Sequence, residues 1–332
     1  MGLKFKDLVN AHPTSISSLK YKTIVMDGMN VLYQFLSSIR DQNGDYLTYN
    51  GYVTSHLIGL FNRTCRLLES EIKLIYVFDG QAPQIKEVTK LLRKNVKEQA
   101  AKRYAEAKKR NDTKAMQQYA RQTSRLTTEM VDDAKKMLEL MGIPIVQAPS
   151  EGEAQCAEIV KNGDAYAVGS QDYDTLLFGS PRIVRNLNIS GTRRIGGRII
   201  SVQPELLLLE DVYSKWNITS DQLRILAILT GTDYNPGGIK GIGVKKGIKL
   251  LHEQPSDIFS RFEWTHAVSW REIYDTLKNI PVKKDYILDY SKPQYDKLQT
   301  FLVNERGFDA DRVEKSLQKL QCDRQTGLQQ FG

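Results

Sequence analysis

Seven acidic residues have the type and placement to do chemistry: Asp27, Asp79, Glu151, Glu153, Asp172, Asp174 and Asp233. Six of them follow short apolar runs. Asp27 closes Thr23-Ile-Val-Met26, and Asp79 closes Leu74-Ile-Tyr-Val-Phe78. Glu151 and Glu153 come after Ile143-Pro-Ile-Val146, and Asp172 and Asp174 after Ala165-Tyr-Ala-Val168. If these runs are parallel strands, their C-terminal ends line one edge of a sheet, which is where ligands bind in such folds. Asp233, in Leu229-Thr-Gly-Thr-Asp-Tyr234, follows a helical stretch and could join them. So many carboxylates cannot stay ionised together without cations. A set of oxygen donors without Cys or His suits a hard divalent ion, Mg²⁺ or Mn²⁺. Two such ions about 3.5–4 Å apart are the usual device for hydrolysing a phosphodiester: one activates water and both steady the attacking and leaving oxygens. Plainer roles stay open for single members. Ser150-x-x-Glu153 also spells a capping box, Asp172 and Asp174 fit Asx turns, and Asp27 and Asp79 could be turn acids.

The elements that must position these acids alternate along the chain. Val31, Leu32, Phe35, Leu36 and Ile39 have helical spacing after the first apolar run. Val53, Leu57, Leu60, Phe61 and Leu68 predict a helix over 53–70, a further amphipathic helix covers 129–141, and another runs from Glu151 to Lys161. This alternation predicts an α/β fold with a mostly parallel, twisted sheet flanked by helices on both faces. After about residue 215 the pattern becomes helical. The Trp264/Trp270 pair there reads as core rather than as a base-stacking site.

Composition narrows the function further. The 332 residues carry a net charge of +8, with three cysteines and four histidines. The cysteines and histidines are scattered, which argues against a disulfide framework, a zinc site or a His-based triad. No apolar run approaches a membrane span, and Met1 to Asn10 has no apolar signal core, so a cytoplasmic protein is expected. The charge is uneven. Residues 86–125 hold 13 Lys/Arg against four Asp/Glu, a local excess of +9, which leaves the rest at −1. A basic segment on a near-neutral body points to a polyanion, and nucleic acid is the usual one. The segment reads as one or two helices broken at Asn111-Asp112-Thr113. Its thin apolar stripe (Val88, Leu91, Leu92, Val96, Tyr104) predicts that it stands away from the core.

A second motif is Gly237-Gly-Ile-Lys-Gly-Ile-Gly-Val-Lys-Lys-Gly247, between a helix over Asp221 to Thr230 and one starting near Val244. The glycines, Gly241 and Gly243 among them, allow close backbone approach to a phosphate, and Lys245 and Lys246 can bind it. The pattern looks like a helix–hairpin–helix that grips a DNA backbone without reading sequence. Such a hairpin can hold a monovalent cation on its carbonyls, with Ile239 and Ile242 as candidates.

Five segments together resemble the flap endonuclease family in its archaeal form. They are Val25-Met-Asp-Gly-Met-Asn-Val-Leu-Tyr-Gln-Phe35, Tyr76-Val-Phe-Asp-Gly80, Gly142-Ile-Pro-Ile-Val-Gln-Ala-Pro-Ser-Glu-Gly-Glu-Ala154, Ser170-Gln-Asp-Tyr-Asp174 and Gly231-Thr-Asp-Tyr-Asn-Pro-Gly-Gly-Ile-Lys-Gly-Ile-Gly243. The likeness covers residues 1 to about 255 and returns at the tail. It implies the 5′-nuclease, PIN-like fold and structure-specific cleavage of 5′ flaps and 5′ ends in branched DNA, in replication (Okazaki fragment maturation) and repair. Under it the seven acids are the metal ligands. Lys86 and Arg93, seven residues apart at the root of the basic helices, would face the scissile phosphate and stabilise its transition state. Tyr33 would stack on a base beside the scissile bond, with core packing as its alternative. Arg40, Thr54, Arg63 and Arg185 match duplex-contacting positions, and Gly2, once Met1 is removed, would lie near the active site. The basic helices would form an arch over the 5′ strand, mobile without DNA.

The tail Gln325-Thr-Gly-Leu328-Gln-Gln-Phe331-Gly332 resembles a sliding-clamp-binding box, with Gln325, Leu328 and Phe331 in place and Gly332 where a second aromatic belongs. The expected organisation is a nuclease core over 1–215 with its arch at 84–128, a helix–hairpin–helix region over 216–290, a C-terminal helical region over 291–318 packed on the core, and the tail over 319–332. The function expected is a two-metal 5′-flap endonuclease and 5′–3′ exonuclease. The rivals are another 5′ nuclease (exonuclease or junction resolvase), a non-catalytic DNA-binding clamp adaptor, and an aspartyl phosphotransferase. The last is prompted by Val77-Phe-Asp-Gly80 and disfavoured because Gln81 stands where a second acid is needed.

Overall fold

Branched and aromatic side chains fill β2 (Thr23–Asp27) and β5 (Lys73–Phe78), and both strands are buried on their two faces. That is the signature of inner strands in a parallel sheet. In the computed structural model, which describes residues 5–187, 191–195, 198–253 and 258–328, they lie at the heart of a seven-stranded sheet. The remaining strands of that sheet are β1 (Ala11–Pro13), β6 (Ile145–Gln147), β7 (Ala167–Gly169), β8 (Arg182–Arg185) and β11 (Glu205–Leu208). Small hairpins pair β3 (Thr48–Tyr49) with β4 (Tyr52–Val53) and β9 (Thr192–Ile195) with β10 (Arg198–Ser201).

The sheet order is β1-β11-β8-β7-β2-β5-β6. The five strands from β8 to β6 are parallel, with Val25 opposite both Ile75 and Val168. The edge strands β11 and β1 run antiparallel. The chain fills one side of β2 with β5 and β6, then returns to fill the other side with β7 and β8. Strand order therefore reverses at β2, which makes its C-terminal end the switch point where a crevice opens. The mostly parallel sheet is as expected. The antiparallel edge was not foreseen, because strands of three or four residues leave little periodicity to read.

Twelve helices surround the sheet and its extensions: α1 (Gly28–Ser38), α2 (Ser55–Glu69), α3 (Glu87–Lys109), α4 (Thr113–Gln122), α5 (Thr128–Leu140), α6 (Gly152–Lys161), α7 (Leu209–Trp216), α8 (Ser220–Thr230), α9 (Val244–Glu253), α10 (Trp270–Lys278), α11 (Tyr295–Gln299) and α12 (Ala310–Leu328) among the described residues. Alternation along the central strands splits the core. Ile24, Met26, Leu74, Tyr76 and Phe78 meet residues of α1, α2 and α5, while Val25, Ile75 and Val77 meet Cys156, Ile159 and Val160 of α6. The helices from α7 to α10 build a further cluster with Phe5, Leu8, Leu176 and Ile183. Phe259 stacks on Trp270 there and meets Trp264 edge-on, so both tryptophans pack as core. After a π-helical turn at Thr300–Glu305, Phe301, Leu302, Val313 and Leu317 close the α2 and α5 side. Arg306 clamps Asp133 through two bonds of 2.6 and 2.7 Å.

The basic segment forms the two helices α3 and α4, broken at Asn111 (φ +51°) and capped by Asp112, whose side chain accepts from the Ala115 N–H. Its packing differs from expectation. Leu91 and Val96 of the expected stripe are exposed, and the buried apolar side chains among the described residues of this segment are Ala100, Ala107, Met116 and Ala120. Two helices joined by a tight break approach most closely over small side chains, so the alanine face wins. The pair also rests on the 40–46 loop, where the Tyr104 hydroxyl donates to Asp45 at 2.7 Å. No helix among the described residues is long and apolar enough to cross a membrane.

Candidate active site

The acids after the parallel strands gather at the β2 switch point. Asp27 is the last residue of β2 and the N-cap of α1, accepting from the Asn30 N–H at 3.0 Å. Asn30 Nδ2 reaches across to Asp172, after β7, at 2.5 Å. Asp79, one residue past β5, accepts from the Gly152 N–H at 2.8 Å. A Cβ on Gly152 would lie only 2.7 Å from that carboxylate, so any larger residue at the start of α6 would displace Asp79. Glu151 is the N-cap of α6 without a side-chain cap bond, and Glu153 follows in the first turn. The capping box from Ser150 to Glu153 therefore does not form, which leaves Glu153 facing the other acids. Glu151, Glu153, Asp174 and Asp233 line one small cavity with Lys86, Thr232 and Tyr234.

Burial and mutual repulsion shape the charge state. Asp27 is pushed up to about 8 by burial first and then by Asp79 and Asp172. Glu153 is raised well above the carboxylate range by burial and by Asp174, Asp27, Asp172 and Glu151. Asp79 is raised by burial, against the opposing pull of the Gly152 N–H and Lys86. Burial alone would lower Lys86, but Glu151, Asp233 and Glu153 outweigh it and hold it as an ammonium. Its Nζ pairs with Glu151 and stands 3.6 Å from Asp233.

Among the described residues no three acidic, imidazole or thiol groups already form a closed ion shell; the carboxylates border a shared crevice. The donor set still fits hard divalent cations. It is all carboxylate oxygen, and it is held at a cost that positive charge at the same place would remove.

The other candidates divide. Tyr33 is 38% exposed, so it is not core; it faces an open cleft shared with Asn30, Lys97 and Gln171, with Lys97 Nζ 5.2 Å from its ring centre. Lys245 and Lys246 are exposed at the start of α9, and Gly241 (φ +79°) and Gly243 have open space around them. The Ile239 carbonyl accepts from the Ile242 N–H at 3.0 Å. The four expected duplex contacts are all packed or bonded within the fold. Arg40 donates to the Leu36 and Gly44 carbonyls, both at 3.0 Å, and to Ser124 at 2.6 Å. Thr54 is buried, with its hydroxyl 3.3 Å from the Leu47 carbonyl. Arg63 is 8% exposed, and burial pulls it down to about 10. Arg185 donates to Tyr173 at 2.6 Å and to the Gln171 carbonyl at 3.2 Å, bracing the segment that carries Asp172. The side chains of Arg93, Gln325 and Leu328 lie outside the described residues, as do Gly2 and Phe331 whole; the backbone of 325–328 continues α12. Sequence reasoning missed Asn30, Gly152 and Thr89, whose hydroxyl bonds the Asp233 carbonyl. Asp27-x-x-Asn30 has N-cap spacing and could have been found that way.

Residues 3–101 match the XPG N-terminal domain and residues 142–233 the XPG I-region. Flap endonuclease 1 of Hyperthermus butylicus is 44% identical over 331 residues, spanning 96% of this chain and 94% of that protein. Its counterpart in Pyrococcus furiosus is 41% identical over 99% of this chain and 97% of its own length. The chain belongs to the flap endonuclease 1 family. The solved flap endonuclease-1 from Methanococcus jannaschii superimposes with a TM-score of 0.76 at 42% identity, covering 96% of this chain and 98% of that one. The catalytic core of Rad2 in complex with DNA substrate shares the fold, with a TM-score of 0.71 at 23% identity over 96% of this chain and all of that one. Flap endonuclease 1 proteins are nucleases that generally use divalent metals.

Proposed function

We propose that the protein is a structure-specific 5′-flap endonuclease and 5′–3′ exonuclease that processes branched DNA in replication and repair. The observation that carries this is the meeting of carboxylates from four strand ends and the α8–α9 loop around one crevice, with Lys86 among them. Asp27, Asp79, Glu151, Glu153, Asp172, Asp174 and Asp233 would hold two Mg²⁺, with Mn²⁺ able to substitute. Bound there, the ions supply activation of water and neutralisation of charge on the phosphoryl oxygens. Lys86, an ammonium beside Glu151 and Asp233, would bind a phosphate oxygen and meet developing negative charge; Arg93 is assigned the same work. Tyr33 offers its exposed face to a base at the crevice rim.

Lys245 and Lys246, with the open amides near Gly241 and Gly243, would hold the duplex backbone, and the Ile239 and Ile242 carbonyls could take a monovalent cation. In this reading, residues 1–215 cut, with 84–128 as the arch. Residues 216–290 grip duplex, 291–318 brace the core, and 319–332 dock on a sliding clamp through Gln325, Leu328 and Phe331. The test is a gel assay on a 5′-flap substrate. Cleavage at the junction with Mg²⁺, and none with chelator, supports the assignment; no cleavage under either condition overturns it.

A further inference from the structure

The loop between α8 and α9 carries Asp233 at its start and the hairpin glycines at its end, and one buried side chain ties the two together. Asn235 is fully buried. Its Nδ2 donates to the Ile228 carbonyl in the last turn of α8 at 2.7 Å. Its Oδ1 accepts from the Thr232 N–H at 3.1 Å and the Thr232 hydroxyl at 2.7 Å. Thr232 Oγ1 in turn accepts from the Tyr234 N–H at 3.0 Å, so both neighbours of Asp233 are fixed. On the hairpin side, the Asn235 carbonyl accepts from the Gly238 N–H at 3.1 Å and His266 Nε2 bonds the Gly238 carbonyl at 3.0 Å. Gly238 has φ +58°, and a Cβ there would fall 2.5 Å from the Leu229 carbonyl oxygen. The arch root joins the same loop through Thr89 and Lys86.

We propose that Asn235 is a positioning residue that sets the register between the hairpin's hold on a DNA backbone and Asp233, and thereby selects which phosphate is cut. The inference rests on the assignment of Asp233 to the cleavage site. An asparagine suits the task because one amide donates and accepts at once. Alanine removes all three side-chain bonds and leaves the Ile228 carbonyl and the Thr232 groups unpaired inside the fold.

The experiment compares wild type with Asn235→Ala, Thr232→Val and the conservative Thr232→Ser. Hydrogen–deuterium exchange is measured in chelator, with and without a plain duplex. In wild type and Thr232→Ser, the duplex should slow exchange across both 237–243 and 231–235. In Asn235→Ala and Thr232→Val, the slowing should stay within 237–243. Single-turnover cleavage of a 5′ flap, resolved to the nucleotide, should fall on the order of 100-fold in those two variants and spread over adjacent phosphates. Duplex affinity should change less than about threefold, because the lysines remain. Partial unfolding lowers reaction amplitude but leaves the cut position alone; if Asn235→Ala does not fold, Thr232→Val decides. A single unchanged cut site, with duplex protection still reaching 231–235, overturns the proposal. Asp233→Asn is run alongside: full-rate cleavage there overturns the assignment of Asp233, whereas an inactive Asp233→Asn beside normally cutting Asn235→Ala and Thr232→Val overturns this inference alone.

Discussion

Replacing Asp27 by asparagine should make the protein more stable in chelator at alkaline pH and leave it unable to cut DNA. Burial, Asp79 and Asp172 raise this carboxyl from its ordinary 3.8 to about 8. For an acid raised in the folded state, the folded form keeps the proton that the unfolded chain gives up. The group therefore costs nothing below the ordinary value, and stability is lost as pH rises through the folded one. The displacement corresponds to roughly 6 kcal/mol at full ionisation. The repulsion is shared with two other acids, so about 1–3 kcal/mol should reach the unfolding equilibrium when one charge is removed. Asparagine keeps the size of the side chain and its role as N-cap of α1, so little else changes.

With an unfolding entropy of about 2 cal/mol/K per residue, ~0.7 kcal/mol/K for this chain, the gain is roughly 1.5–4 °C in Tm. Scanning calorimetry in chelator at pH 8.5 and pH 5 reads it directly. By linkage, the gain at pH 5 should be about a third of that at pH 8.5. A Tm that falls at pH 8.5, or rises equally at both values, would refute the view that Asp27 is held against burial and the repulsion of its neighbours. Retained cleavage would refute its place in the site.

Asp174→Ala or Asp233→Ala should bind a flap substrate within about threefold of wild type and show no cleavage, since neither acid holds the duplex; full activity in either variant would sink the two-ion site. Lys86→Ala and Arg93→Ala should each slow single-turnover cleavage by on the order of 10²–10³ while DNA affinity moves little. Equal losses in both quantities would show that these cations bind rather than catalyse. The double change Lys245→Ala and Lys246→Ala should weaken duplex binding and lower the slope of log affinity against log salt by about 2, read by fluorescence anisotropy across a salt series; an unchanged slope removes the lysines from the phosphate contacts. Asp133→Ala should cost about 3–5 kcal/mol by stranding the buried Arg306 guanidinium, lowering Tm by roughly 4–7 °C with the cleavage rate per folded molecule unaltered.

Six of the seven acids were legible in the sequence because they follow apolar runs, and a parallel sheet leaves such ends nowhere to go but one edge; Asp233, after α8, lacks that signal. Arg63 shows the converse. It lies three residues after Leu60 and four before Leu67, on the apolar side of α2, so helical spacing alone puts this charged residue inside. Arg40 follows α1 and turns back to the Leu36 carbonyl, the habit of a basic residue at a helix C-terminus. Leu91 and Val96 misled in the arch because periodicity reports only that a face is apolar. Which face meets a partner is decided by how closely two helices can approach, and Ala100, Ala107 and Ala120 allow the closer contact. Asn235 could not be picked out at all, since its partners depend on where the end of α8 turns.

A structural role for the acid cluster is the reading that charge makes hardest to sustain. Where this fold needs a buried acid for structure, it supplies a matched cation: Asp133 receives two bonds from one guanidinium, and both side chains are about nine-tenths buried. At the crevice, Lys86 spreads a single charge over Glu151 and Asp233. The N-termini of α1 and α6 point at Asp27, Glu151 and Glu153, but a helix end contributes only about 0.3–1 kcal/mol near the surface and up to ~2 when partly buried. Against the burial and mutual repulsion that raise Asp27, Asp79 and Glu153 together, that support is small. Burial, topology and the glycine at position 152 nonetheless hold these carboxylates together rather than let them part. A fold spends stability in this way where a positively charged ligand returns it on binding, so the cluster's instability on its own and its fitness for divalent cations are one property.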